Sequence, residues 1–140
     1  TDKNISRREL SQHIFRLLFR VEFHSREEMP EQGEFYSWHL KEPDGVDAEY
    51  ILEKVKHIIE KLDELDERIN GVAVGWKTSR MSKVDLTILR LAVYEMKFDE
   101  DVPVKVAINE AVEMAKRFGQ DGSASFINGI LGTISRTLSE

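Results

Sequence analysis

The chain has no cysteine. That excludes disulfides, thiolate metal sites and cysteine nucleophiles, and it fits a reducing, cytoplasmic setting. Long hydrophobic runs are also missing. The apolar stretches are a few residues long and broken by Arg, Lys or Glu, far short of the roughly 20 residues that span a bilayer. Thr1-Asp2-Lys3-Asn4 offers no apolar segment for a secretion signal, and Thr in place of Met at position 1 suggests a trimmed chain. No serine sits in a Gly-x-Ser-x-Gly elbow, and the glycines at 119, 122, 129 and 132 follow no strand, so neither a hydrolase elbow nor a phosphate-binding glycine loop is expected. The histidines His13, His24, His39 and His57 lack the carboxylate spacing of a catalytic triad. Glu53, His57 and Glu60 are spaced four and three apart, but they share the charged side of their helix and read as a solvated cluster, with no inward Glu-x-x-His pair for a di-iron centre. No metal, cofactor or catalytic activity is expected.

Positive charge is scarce overall but unevenly spread. The net charge is −6. From Thr1 to Arg26, six basic residues face three acidic ones (+3), which leaves −9 on the remaining 114 residues. A basic N-terminus on an acidic body is compatible with a local phosphate-binding patch, and equally with a helix charged for solubility.

What is present is helical periodicity, nearly throughout. At 140 residues, with 41% hydrophobic and 33% charged residues, the chain suits a single soluble all-α domain. The spacing predicts a first helix over 6–24, with Leu10, Ile14, Leu17, Leu18 and Val21 on one stripe and Arg8, Arg16 and Arg20 outside it. An irregular stretch from Met29-Pro30 to Pro43-Asp44-Gly45 holds a short helix around Phe35, Trp38 and Leu40. A long helix is predicted over 47–70, because Ile51, Val55, Ile58, Leu62, Leu65 and Ile69 repeat at 4, 3, 4, 3, 4, with Asn70-Gly71 as its stop. After a short segment containing Trp76, Ser82 and Asp85 read as a capping box for the next helix. Pro103 suits a first helical position, Val104, Ala107, Ile108, Ala111, Val112, Ala115 and Phe118 read as inward, and Gly119 reads as a left-handed cap. Ser123 then caps a last helix through Leu138. Two helical halves are expected, 1–70 and 71–140, hinged near 71–75.

Two features stand out for function. Gly129 and Gly132 each cost about 1 kcal/mol inside a helix relative to Ala, so another helix or a ligand is expected to come close there. Phe118 and Phe126 bracket the loop from Gly119 to Ser125, and they read either as bases' stacking partners or as core anchors of a helical hairpin.

The run Arg80-Met-Ser-Lys-Val-Asp-Leu-Thr-Ile-Leu-Arg-Leu-Ala-Val-Tyr-Glu95, then Val102-Pro-Val-Lys-Val-Ala-Ile-Asn-Glu-Ala-Val-Glu-Met-Ala-Lys-Arg-Phe-Gly119, then Ser123-Ala-Ser-Phe-Ile-Asn-Gly-Ile-Leu131 resembles the NusB family of transcription antitermination factors, as does Arg7-Arg8 ahead of Leu18-Phe19. The resemblance implies about seven helices in two subdomains and no reaction. It also implies joint binding of boxA-type nascent RNA with the ribosomal protein NusE, so that RNA polymerase reads through terminators, notably in ribosomal RNA operons. Carried over residue by residue, the arginine patch matches Arg7 and Arg8 with Lys3 beside them, thinned by Glu9. The RNA-facing loop matches Phe118, Gln120, Ser123 and Phe126, with Lys105 and Lys116 as phosphate partners, and Gly122 stands where some members are acidic. The partner-protein surface matches Asp85, with Val104 near the same side. Tyr94, Glu95, Asn109, Glu110 and Asn128 are expected to be buried or half-buried helix ties. On this reading the arginine patch and the loop would be two lips of one RNA surface. Two other readings stay open: a protein-only interaction module, and the remnant of an RNA cytosine methyltransferase. Some members form homodimers.

Overall fold

The structure, a computed structural model, describes residues 6–40 and 48–138. Lys3 and the turn expected at Pro43-Asp44-Gly45 lie outside them. The described residues form seven α-helices and no strand: α1 Arg7–Phe19, α2 Met29–His39, α3 Ala48–Glu60, α4 Leu62–Val72, α5 Lys83–Phe98, α6 Val104–Phe118 and α7 Ser123–Leu138. Short 3-10 turns occupy Arg20–Glu22, Arg26–Glu28 and Thr78–Arg80. None of these helices is long and apolar enough to cross a membrane. The chain divides into two compact units, 1–60 and 61–140, ten residues earlier than the division expected near 70.

In the first unit, α1 starts on a capping box. Ser6 Oγ accepts the Glu9 N–H at 3.1 Å, and Glu9 Oε1 accepts the Ser6 N–H at 3.2 Å, so two N–H groups that a helix start leaves over are satisfied. Ile14, Phe15, Leu17 and Leu18 are buried and turn α1 toward α3, whose Ile51, Val55 and Ile58 are buried in turn. The expected first helix is shorter than its apolar stripe, because the last turn tightens to 3-10 from Arg20. His13 Nδ1 lies 2.7 Å from the Tyr36 hydroxyl and its ring meets the Tyr36 ring edge-on, which ties α1 to α2.

The single long helix expected over 47–70 is two. At Lys61 the backbone leaves the helical well (φ −104°, ψ 9°), and α4 restarts at once. The apolar spacing survives the break, since Leu62, Leu65 and Ile69 are all buried, and so it could not reveal it. Nor does α4 stop at Gly71: it runs to Val72, with Ala73 as cap.

In the second unit α5 is the central element. It packs on α4, α6 and α7, and every residue from Leu86 to Val93 is buried. That run includes Arg90, only 8% exposed. Its guanidinium donates from Nε to Asp66 Oδ1 at 2.8 Å and from Nη2 to Asp66 Oδ2 at 2.7 Å, the two-pronged geometry that suits a carboxylate best. Lys97 adds a more exposed pair to Glu64 at 2.8 Å, where the Lys97 hydrogen bond pulls the Glu64 pKa down. Helix α7 closes the layer with Ile127, Ile130, Leu131 and Ile134.

Other expectations also change. Pro103 is the N-cap rather than the first helical residue, and Val104 is 36% exposed rather than inward. Gly119 is not left-handed (φ −90°). It is glycine because a Cβ there would come within 2.7 Å of Ser123 Cβ and Oγ and 2.8 Å of the Ala115 carbonyl oxygen. The left-handed residue is Gly122, at φ +89°. Tight packing does not explain Gly129, whose Cβ would meet nothing within 4 Å, and at Gly132 only Arg136 Nη1 lies near, at 3.9 Å. Glu95 is buried as expected, whereas Asn109 and Asn128 are exposed.

Three outcomes are expected. Asp66→Ala strips a buried guanidinium of its bidentate partner and should lower unfolding stability by about 3 kcal/mol in urea titrations. Gly129→Ala should raise stability by about 0.5–1 kcal/mol by the same measurement, since the helix gains propensity and nothing is displaced. Burial, then the Arg16 charge, lowers the His13 pKa. The unfolded chain therefore takes up a proton that the folded chain resists, and stability falls as pH drops through about 6.5. His13→Gln should lose less stability than the parent between pH 7.5 and 5.5, followed by thermal midpoint.

Candidate nucleic-acid interface

Helix α1 positions the arginine patch. Arg7 and Arg8 occupy its exposed first turn, and Arg16, two turns beyond Arg8, is exposed too. Glu9, which dilutes this patch in the sequence, has a defined task here, since its carboxylate completes the capping box at Ser6. Arg20 is drawn inward instead: Nη1 donates to Gln32 Oε1 at 3.1 Å and the guanidinium lies 5.2 Å from the Tyr36 ring centre.

The second unit holds the loop and the groove beside it. The loop between α6 and α7 is held by its own hydrogen bonds. The Gln120 N–H donates to Ser123 Oγ at 3.0 Å, and the Ser123 N–H donates back to the Gln120 carbonyl at 3.0 Å. Ser123 is the first residue of α7 and only 5% exposed, so its hydroxyl is committed to shaping the loop. Gln120, Asp121 and Gly122 are exposed. Beside them lies a groove of about 350 Å³ lined by Gln120 to Ser123, Phe126, Asp85 and four residues ahead of α5: Trp76, Arg80, Met81 and Ser82.

Half of the capping box expected at the start of α5 is present. Ser82 Oγ accepts the Asp85 N–H at 3.0 Å, but Asp85 does not return the contact. Asp85 Oδ1 is instead enclosed, with no hydrogen-bond partner among the described residues, a state that costs about 1–3 kcal/mol or more for a charged group.

The groove thus gathers Gln120, Ser123, Phe126 and Asp85 and leaves the other expected residues apart. Phe118 does not line it: the ring is half-buried, with the Arg117 guanidinium 5.4 Å from its centre. Lys116 is exposed and 3.4 Å from Glu113 Oε2. Val104 and Lys105 sit at the opposite end of α6, about 20 Å along the helix from Phe118 at 1.5 Å per residue. Asp85 shares the groove with the α6 C-terminal loop, so Val104 is not close to it. Trp76, Arg80 and Met81 also line the groove, and no stripe or cap points to them because they fall between helices, where periodicity is silent. An available signal was charge: Lys77, Arg80 and Lys83 follow one another with no acid from Gly71 to Val84.

The NusB family profile matches residues 8–136. The transcription antitermination protein NusB of Agathobacter rectalis is 50% identical over 127 residues, covering 91% of this chain and 97% of that protein. The protein of the same name from Lachnoclostridium phytofermentans is 50% identical over 130 residues, covering 93% and 98%. Among solved structures, T. maritima NusB superposes with a TM-score of 0.82 at 35% identity, over 95% of this chain and 92% of that one. The chain belongs to the NusB family of transcription antitermination proteins.

Proposed function

We propose that this protein binds boxA-type single-stranded RNA jointly with the ribosomal protein NusE and helps RNA polymerase read through terminators, notably in ribosomal RNA operons. The observation that carries this reading is the groove in which the exposed loop Gln120 to Gly122 and Phe126 adjoin Asp85. A single-stranded base needs an aromatic face and hydrogen-bonding groups, and Phe126 and Gln120 offer both. A basic partner protein needs carboxylates, and half-exposed Asp85 presents one at the groove. Arg7 and Arg8 supply phosphate contacts, with Lys3, Lys105 and Lys116 as further contributors. Ser123 acts through the shape of the loop, and Val104 offers an apolar contact at the far end of α6.

The acidic balance of the chain, −6 overall, favours a second reading, a protein-only module with little RNA affinity of its own. Fluorescence anisotropy of a labelled boxA-like RNA, with and without NusE and against a scrambled RNA, separates the two. Selective binding that tightens with NusE is expected. Arg7→Ala with Arg8→Ala should weaken it and flatten log Kd against log salt by about 1.4, near 0.7 for each lost phosphate contact on a single strand. RNA left unbound while the two proteins still form a complex would leave the protein-only module standing.

A further inference from the structure

We infer that the connection between α4 and α5 is a second RNA-contacting element, in which Trp76 stacks on an unpaired base and Lys77 and Arg80 meet the flanking phosphates. The inference rests on the RNA reading above and adds residues that neither the arginine patch nor the α6–α7 loop contains.

The connection is a built turn that carries its tryptophan outward. Trp76 is 52% exposed and Val74 is 89% exposed, an apolar surface that a segment between two helices would ordinarily tuck away. The turn is nonetheless tied down on both sides. The Trp76 N–H donates to the Ala73 carbonyl at 3.0 Å, across Gly75 in the left-handed region at φ +80°. Asn70 clamps the far side: its Oδ1 accepts the Thr78 N–H at 2.7 Å and its Nδ2 donates to Thr78 Oγ1 at 3.3 Å. The Arg80 N–H donates to the Lys77 carbonyl at 2.8 Å. The backbone that carries the indole is thus tied down while about half of the residue's surface stays in water, a setting that suits a stacking platform.

Charge identifies the occupant. In a chain of net charge −6, Lys77, Arg80 and Lys83 form a basic run from Gly71 to Val84 without one carboxylate. Lys77 and Arg80 are exposed, and such a run attracts a polyanion. The groove adds direction. Trp76 and Arg80 line it together with Met81, Gln120, Phe126 and the acids Asp85 and Asp121. Those two carboxylates oppose a phosphate inside the groove, so the base enters between Trp76 and Phe126 while the backbone runs along Lys77 and Arg80. Single-stranded RNA offers this combination of a flat neutral face and a charged strand beside it.

The test uses the full chain. Trp38 and Trp76 are its two tryptophans, so Trp38→Phe leaves Trp76 as the sole reporter. Titration of that variant with a boxA-like RNA should quench its emission and shield it from acrylamide, in step with anisotropy of the labelled RNA. Trp76→Leu should weaken binding about ten-fold while Trp76→Phe keeps most of it, since base–aromatic stacking survives in phenylalanine. Lys77→Ala with Arg80→Ala should flatten the salt dependence by about 1.4. RNA bound by anisotropy with Trp76 emission and quencher access unchanged overturns the inference and leaves the function intact. Should the sole-tryptophan variant and the parent both fail to bind RNA, with NusE present or absent, the RNA reading itself falls and takes this one with it.

Discussion

A guanidinium cannot be buried alone, and Arg90 lies on the central helix of the second unit with 8% of its surface left to solvent. The two-pronged contact from Asp66 compensates that burial. It also does something geometric. Two parallel hydrogen bonds fix rotation as well as distance, so α4 is held against α5 in one register. The connection between those helices must then close a gap of set length from Val72 to Lys83, and it does so through the turn at Gly75 and the Asn70 clamp on Thr78. One wall of the groove descends from this pair: α4 fixes the start of the connection, α5 fixes its end, and Trp76, Arg80 and Met81 fall between.

The other wall depends on an absence. With no side chain at Gly119, Ser123 approaches to a distance that a Cβ would forbid, and its hydroxyl reaches the Gln120 amide. The chain turns from α6 into α7 in four residues, and Gln120, Asp121 and Gly122 are left outermost. Neither wall is a specialised binding motif. Each is what remains exposed after helices have satisfied their own ends.

The helices and their inward faces were legible in the sequence, because burial of an amphipathic stripe is a property of local spacing. Ile51 to Ile69 and Ile127 to Ile134 went inside as read. The same spacing concealed the break at Lys61, since an interruption that keeps the apolar register leaves no mark on the pattern. The caps follow the sequence pattern only in part. Ser82 accepts the Asp85 N–H, but the return bond is absent, and Gly119 answers to crowding rather than to backbone handedness. The family motifs point to the loop residues but not to the arrangement of the groove, for it depends on the α4–α5 connection meeting the α6–α7 loop, a fact about three dimensions. Residues that fill no stripe and cap no helix, Trp76 and Arg80 above all, leave only composition as a trace.

The self-bonded loop between α6 and α7 has a thermodynamic consequence. A flexible segment surrenders conformational freedom when a partner fixes it, about 1–2 kcal/mol for each residue's backbone, and that loss is subtracted from whatever contacts are made. Here Gln120 and Ser123 are already hydrogen-bonded to each other, and Gly122 already occupies its left-handed well. Much of the ordering entropy is lost during folding, before any encounter. On the proposed reading, an arginine patch this thin can hold a ligand with modest attraction, because little of that attraction is consumed in arranging the site.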